Sequence, residues 1–102
     1  MSLSTHVLDT ARGRPAAGIA VRLEQGTGDG WREVARGETD ADGRIGGWCP
    51  GAGVHRLVFD VADLHEGFFP EVTVVFRIAD AEQHHHVPLL ISPFGYTTYR
   101  GS

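Results

Sequence analysis

The apolar residues of this chain recur at every second position, in short runs cut apart by glycine and proline. Val72, Val74, Phe76 and Ile78 alternate with Glu71, Thr73, Val75 and Arg77. Ile19, Val21 and Leu23 alternate with Ala20, Arg22 and Glu24, and Leu57, Phe59 and Val61 lie beside Arg56, Val58 and Asp60. Successive side chains of a strand point to opposite faces, so this period marks half-buried strands. Fourteen glycines and five prolines keep each piece short. The pattern predicts an all-β chain, a sandwich or barrel of about eight strands, near 3–9, 18–25, 31–38, 44–48, 54–61, 71–79, 84–91 and 95–100. Gly26-Thr27-Gly28-Asp29-Gly30 reads as the turn between the second and third strands. Asp40-Ala41-Asp42-Gly43 reads as a tight turn that delivers Arg44 to the start of a strand. Residues 61–67 leave space for one short helical turn.

A length of 102 residues predicts one domain over 1–102, large enough for a core and small enough to gain from self-association. Nine basic residues against thirteen acidic ones, with no Lys/Arg-rich block, argue against a nucleic-acid partner. No stretch approaches membrane-spanning length, and the first residues carry no signal-peptide pattern. The one cysteine, Cys49, has no internal disulfide partner and points to a reducing, cytoplasmic setting. It reads as a packed small apolar residue rather than a nucleophile.

Alternation also sorts the histidines. If Val87, Leu89 and Ile91 face the core, then His84, His86, Pro88 and Leu90 face outward, an apolar mixture suited to an interface or a pocket floor. His6 shares a face with Ser4 and Leu8. His55, His65, His84 and His85 read by default as surface or packing residues. His84, His86 and His6 have some of the character of a zinc site, but nearby carboxylates are sparse, and the expectation is no metal and no cofactor.

Three blocks then give a resemblance. They are Leu3-Ser4-Thr5-His6-Val7-Leu8-Asp9-Thr10 with Gly13-Arg14-Pro15-Ala16, Thr39-Asp40 through Asp42-Gly43-Arg44, and His86-Val87-Pro88-Leu89-Leu90 through Tyr99-Arg100-Gly101-Ser102. Together they resemble the 5-hydroxyisourate hydrolases, transthyretin-like enzymes of urate breakdown, over essentially the whole chain. The resemblance implies a transthyretin-like β-sandwich and hydrolytic ring opening of 5-hydroxyisourate. It implies a homotetramer with sites at a dimer–dimer interface, in which outward Pro88, Leu90 and Phe94 would take part. It also implies catalytic roles for His6 and His86. The segment around 61–67 is shorter than the helix usual in that family.

Neutral imidazole can take a proton from water and return it to a leaving nitrogen. Arg44 suits a clamp on a planar substrate and on the oxyanion formed when water attacks a ring carbonyl. Tyr99, Arg100, Gly101 and Ser102 are expected to bind substrate as part of the site wall. Gly101 allows close backbone approach, and Ser102 offers a hydroxyl and a terminal carboxylate. Two other functions fit the same fold: a transthyretin-type carrier of a small ligand without catalysis, and a structural sandwich of cell-surface arrays. The carriers lack the histidine pair and the Tyr-Arg-Gly-Ser end, and array domains follow a secretion signal and sit in tandem.

Overall fold

The computed structural model describes residues 2–102. In chain order the elements are β1 (Leu3–Asp9), β2 (Arg14–Pro15), β3 (Ala20–Thr27), β4 (Gly30–Glu38), β5 (Arg44–Trp48), β6 (Gly53–Asp60), α1 (Ala62–His65), β7 (Glu71–Ile78), β8 (His85–Ser92) and β9 (Gly95–Thr98). They form two sheets. One runs β2-β1-β8-β9, with β5 also paired to β1, and the other runs β4-β3-β6-β7. All pairings are antiparallel except β1 with β8. Two of the strands that carry the matched blocks, from opposite ends of the sequence, therefore lie side by side in the middle of one sheet.

The alternating apolar positions meet between the sheets. Leu3, Val7, Leu89 and Ile91 from one sheet pack with Val21, Leu23, Leu57, Phe59 and Val72 from the other, all at most 2% exposed. Each such side chain contributes about 1.5–3 kcal/mol of burial free energy relative to exposure, before the entropy of ordering it. This is the β-sandwich that the alternation predicts. Among the described residues no helix is long and apolar enough to cross a membrane.

Several sequence expectations need correction. A ninth strand, the two-residue β2, appears where Pro15 pairs with Leu8. Residues 26 and 27 belong to β3, so the β3–β4 turn is confined to Gly28-Asp29. Strand β8 begins at His85, and His84 precedes it. Cys49 is exposed rather than packed, because β5 ends at Trp48 and the chain then leaves the sheet. Pro88 is buried in the single chain although its face is the outer one, whereas Phe94 is 83% exposed. His55 and His85 are buried, each with Nδ1 bonded to the backbone carbonyl two residues earlier.

The helix is one turn, as its length dictates, and no residue in it is buried. It is held by the half-buried Leu64, which packs against the core, and by polar contacts. His65 Nε2 donates to Asp9 Oδ1 at 2.8 Å, and the same oxygen accepts the backbone N–H groups of Ala11 and Arg12. Burial alone would raise the Asp9 carboxyl, but the His65 bond and the two backbone donors outweigh it and hold it below the ordinary aspartate value.

Candidate active site

The turn between β4 and β5 is built around Asp40. Its Oδ1 accepts the backbone N–H of Asp42 and of Arg44, each at 2.9 Å. Gly43 closes the turn at φ 76, and a Cβ there would lie 2.5 Å from the Val7 carbonyl oxygen. Only glycine tolerates both the dihedral and the approach. With Gly43 pressed on β1, its carbonyl accepts the Val7 N–H at 2.8 Å. The turn thereby fixes two groups beside His6. Arg44 sits opposite His6 in the β1–β5 ladder. The Asp42 carbonyl lies 2.8 Å from His6 Nε2. A carbonyl only accepts, so Nε2 carries the hydrogen, and a neutral His6 keeps Nδ1 as a free acceptor.

On the other side of β1, Ser4 lies in register with His86 and His6 with Pro88. Ser4, His6, His86 and Pro88 therefore share the outer sheet face, with His6 and His86 diagonal neighbours across the parallel pair. Ser4 Oγ is 2.7 Å from His86 Nδ1. Burial first, then the charges of Arg44 and of the neighbouring His6 and His84, hold the His86 imidazole below the ordinary histidine value, so it is neutral near physiological pH. The Arg44 side chain is exposed and makes no ion pair or side-chain hydrogen bond among the described residues.

The tail divides between the two faces. Gly101 forms a β-bridge with His86, its N–H donating to the His86 carbonyl at 2.8 Å. Continued beyond its last pair, Leu89 with Thr98, the β8–β9 register brings Tyr99 level with Pro88, and Tyr99 is 56% exposed. Both belong with the outer face. Arg100 falls between them on the opposite side, where its guanidinium lies 3.4 Å from Gln83 Oε1. Ser102 is exposed. The single chain thus brings His6, Arg44, His86 and Gly101 together, with Tyr99 at the margin, and leaves Arg100 and Ser102 outside the cluster.

Two contributors had no distinct signal in the sequence. Ser4 shares the His6 face by alternation, but its contact with His86 depends on a strand pairing across 82 residues. The Asp42 contribution is a backbone carbonyl, which no residue type advertises. Among the described residues no three His, Cys, Asp or Glu side chains converge as metal ligands. Instead, Ser4 Oγ lies between His84 Nε2 and His86 Nδ1.

What the arrangement offers chemically is an unpaired guanidinium beside one imidazole with a fixed acceptor nitrogen and a second held neutral. That combination can bind an electron-rich planar group and move protons next to it. Comparison with known proteins gives the family of the chain. The 5-hydroxyisourate hydrolase of Salmonella typhimurium is 44% identical over 109 residues, which span 98% of this chain and 80% of that protein. That of Caulobacter vibrioides is 41% identical, spanning 98% and 97%. Among solved structures, 5-hydroxyisourate hydrolase from Klebsiella pneumoniae superposes with a TM-score of 0.85 at 33% identity, covering 99% of this chain and 93% of that one. Sea bream transthyretin, solved in complex with thyroxine, gives 0.89 at 34% identity, covering 97% and 93%. The HIUase/Transthyretin family model matches residues 3–101, and the chain belongs to that family.

Proposed function

We propose that this protein, as one domain over 1–102, hydrolyses 5-hydroxyisourate to 2-oxo-4-hydroxy-4-carboxy-5-ureidoimidazoline in urate degradation, without a cofactor. The observation that carries this reading is the row Arg44–His6 with His86 one strand away, all on one outer sheet face. Fold likeness does not separate hydrolase from carrier, since the TM-scores are 0.85 and 0.89. Identity of 41–44% over nearly the whole chain to proteins named 5-hydroxyisourate hydrolase favours the enzyme.

In the mechanism, Arg44 grips the substrate's carbonyl and ring-nitrogen edge and receives the charge that develops as water adds. His6 is the base: its Asp42-bonded tautomer leaves only Nδ1, an acceptor, for the attacking water. His86, neutral and carrying its hydrogen on Nε2, hands a proton to the departing ring nitrogen. Gly101 keeps room for the His86 ring. Tyr99 borders the substrate, and Arg100 and Ser102 join the wall when subunits assemble.

We assign the protein a homotetramer with sites at a dimer–dimer interface, and a cytoplasmic location. Support for the assembly comes from the half-buried Leu8 and Leu90 on the site-bearing face and the exposed Phe94 at the turn beside it. The lone cysteine suits a reducing compartment. The test is absorbance decay of freshly generated 5-hydroxyisourate with native protein and with His86→Asn. Acceleration by the native chain and its loss in the variant are expected. Decay at the spontaneous rate with native protein would leave the carrier reading in place.

A further inference from the structure

Beyond the His6–Arg44–His86 cluster, the outer face carries a continuous hydrogen-bonded chain of four side chains. Ser2 Oγ lies 2.6 Å from His84 Nδ1, His84 Nε2 lies 3.2 Å from Ser4 Oγ, and Ser4 Oγ lies 2.7 Å from His86 Nδ1. It starts at the half-buried His86 and reaches the exposed His84 just before the start of β8. The segment before β1 is tied there, since the Ser2 carbonyl accepts the His85 N–H at 2.8 Å.

Every member of this chain can both give and take a proton. A hydroxyl has one hydrogen and two lone pairs, and a neutral imidazole has one nitrogen of each kind. The chain therefore has two self-consistent directions. In one, Ser2 donates to His84, His84 to Ser4, and Ser4 to His86 Nδ1, so that His86 Nε2 carries a hydrogen. In the other every bond is reversed and Nε2 presents a lone pair. His6 has no such freedom, because the carbonyl on its Nε2 permits one direction only.

We propose that Ser2, His84 and Ser4 form a proton relay that connects His86 to solvent, with Ser4 as the positioning residue that lets His86 change tautomer. The inference rests on the hydrolase reading. In ring opening, the carbon–nitrogen bond breaks and a carbon–oxygen bond forms. One proton of water goes to the nitrogen, and the other is released as the new carboxyl ionises. A proton given up by Nε2 is replaced at Nδ1 by the Ser4 hydroxyl hydrogen. Ser4 takes the His84 Nε2 hydrogen, His84 takes the Ser2 hydrogen, and Ser2 takes one from water. One proton enters as another leaves, and no bond of the chain is lost. The imidazole passes the proton without becoming cationic, which matters beside Arg44, His6 and His84, the charged or titratable groups that face it.

The test uses the full chain. His84→Ala should lower kcat about tenfold in weak buffer with KM unchanged, the order of a proton-transfer contribution. Imidazole added at high concentration should restore it, while native activity stays independent of buffer. Ser4→Ala should lower kcat without rescue by imidazole, and Ser4→Thr should retain it. Undiminished kcat of His84→Ala in weak buffer overturns the relay. The nitrogen-15 resonances of His86 supply a second readout that needs no turnover. Native protein should show exchange between both tautomers, and Ser4→Ala should not. Identical His86 shifts in the two proteins overturn the proposal even if the native chain proves inactive, an outcome that would separately end the hydrolase reading.

Discussion

Gly101 lies against the imidazole of His86, so close that a Cβ on the glycine would stand 2.5 Å from His86 Cδ2. The His86 carbonyl accepts the Gly101 N–H, so the backbone cannot retreat without losing that bond. A side chain at 101 must therefore turn the ring away from Ser4. Gly101→Ala is expected to lower kcat/KM about a hundredfold, the cost of shifting a reacting group by roughly 1 Å. The melting temperature should stay near the native one, because the bridge lies outside the core. Native turnover in this variant would show that the contact has slack.

Arg44→Lys keeps the charge and loses the planar two-pronged donor. Its guanidinium has no partner among the described residues, so folding should not suffer. A loss of about 3 kcal/mol in transition-state stabilisation is expected from steady-state kinetics, in line with removal of an oxyanion donor. A lysine variant within twofold of native would take Arg44 out of the site.

His6 and His86 occupy neighbouring strands on one face. His6→Asn and His86→Asn should each remove most ring opening, and the double variant should be little worse than either single one if the two act on one water and one leaving group. Multiplicative losses would instead mean separate roles. His86 must be neutral and its proton affinity is depressed, so its own titration, followed by nitrogen-15 shifts, should be centred below the usual histidine midpoint. A His86 titration centred at or above that usual midpoint contradicts the assignment.

Asp9 and His65 make a prediction about stability alone. The folded-state affinity of Asp9 for a proton is lowered, so its contribution is fully present above the unfolded aspartate value and is lost as pH falls through the lower folded value. Asp9→Asn should cost about 1–3 kcal/mol near neutral pH, with a difference from native that shrinks in strong acid. Urea unfolding at several pH values measures it. A constant difference across that range would rule out the ionised carboxylate as the source.

Assembly is checked by light scattering at micromolar concentration, where a tetramer is expected. Phe94→Ser and Leu90→Ser should shift it towards smaller species and reduce turnover together. Full activity in a clean monomer would remove the interface from the site.

Period-two alternation sufficed to identify half-buried strands, and it assigned the inward positions of β3, β6 and β7 correctly because a strand's two faces follow from its own backbone. The three matched blocks pointed to the family because they hold side chains and glycines that a common geometry needs. Alternation assigns a residue to a face but does not name its neighbour across the sheet. That depends on register between strands remote in sequence, and only the fold set β1 parallel to β8 with Ser4 against His86. The β8–β9 register, continued to the bridge at His86, put Arg100 on the side away from His6 and His86 and Gly101 against the His86 ring. Cys49 and Pro88 departed from expectation for a related reason. Burial is a property of what surrounds a residue, and neither the end of β5 at Trp48 nor the flanking of Pro88 by His6 and the tail is written in the residues themselves.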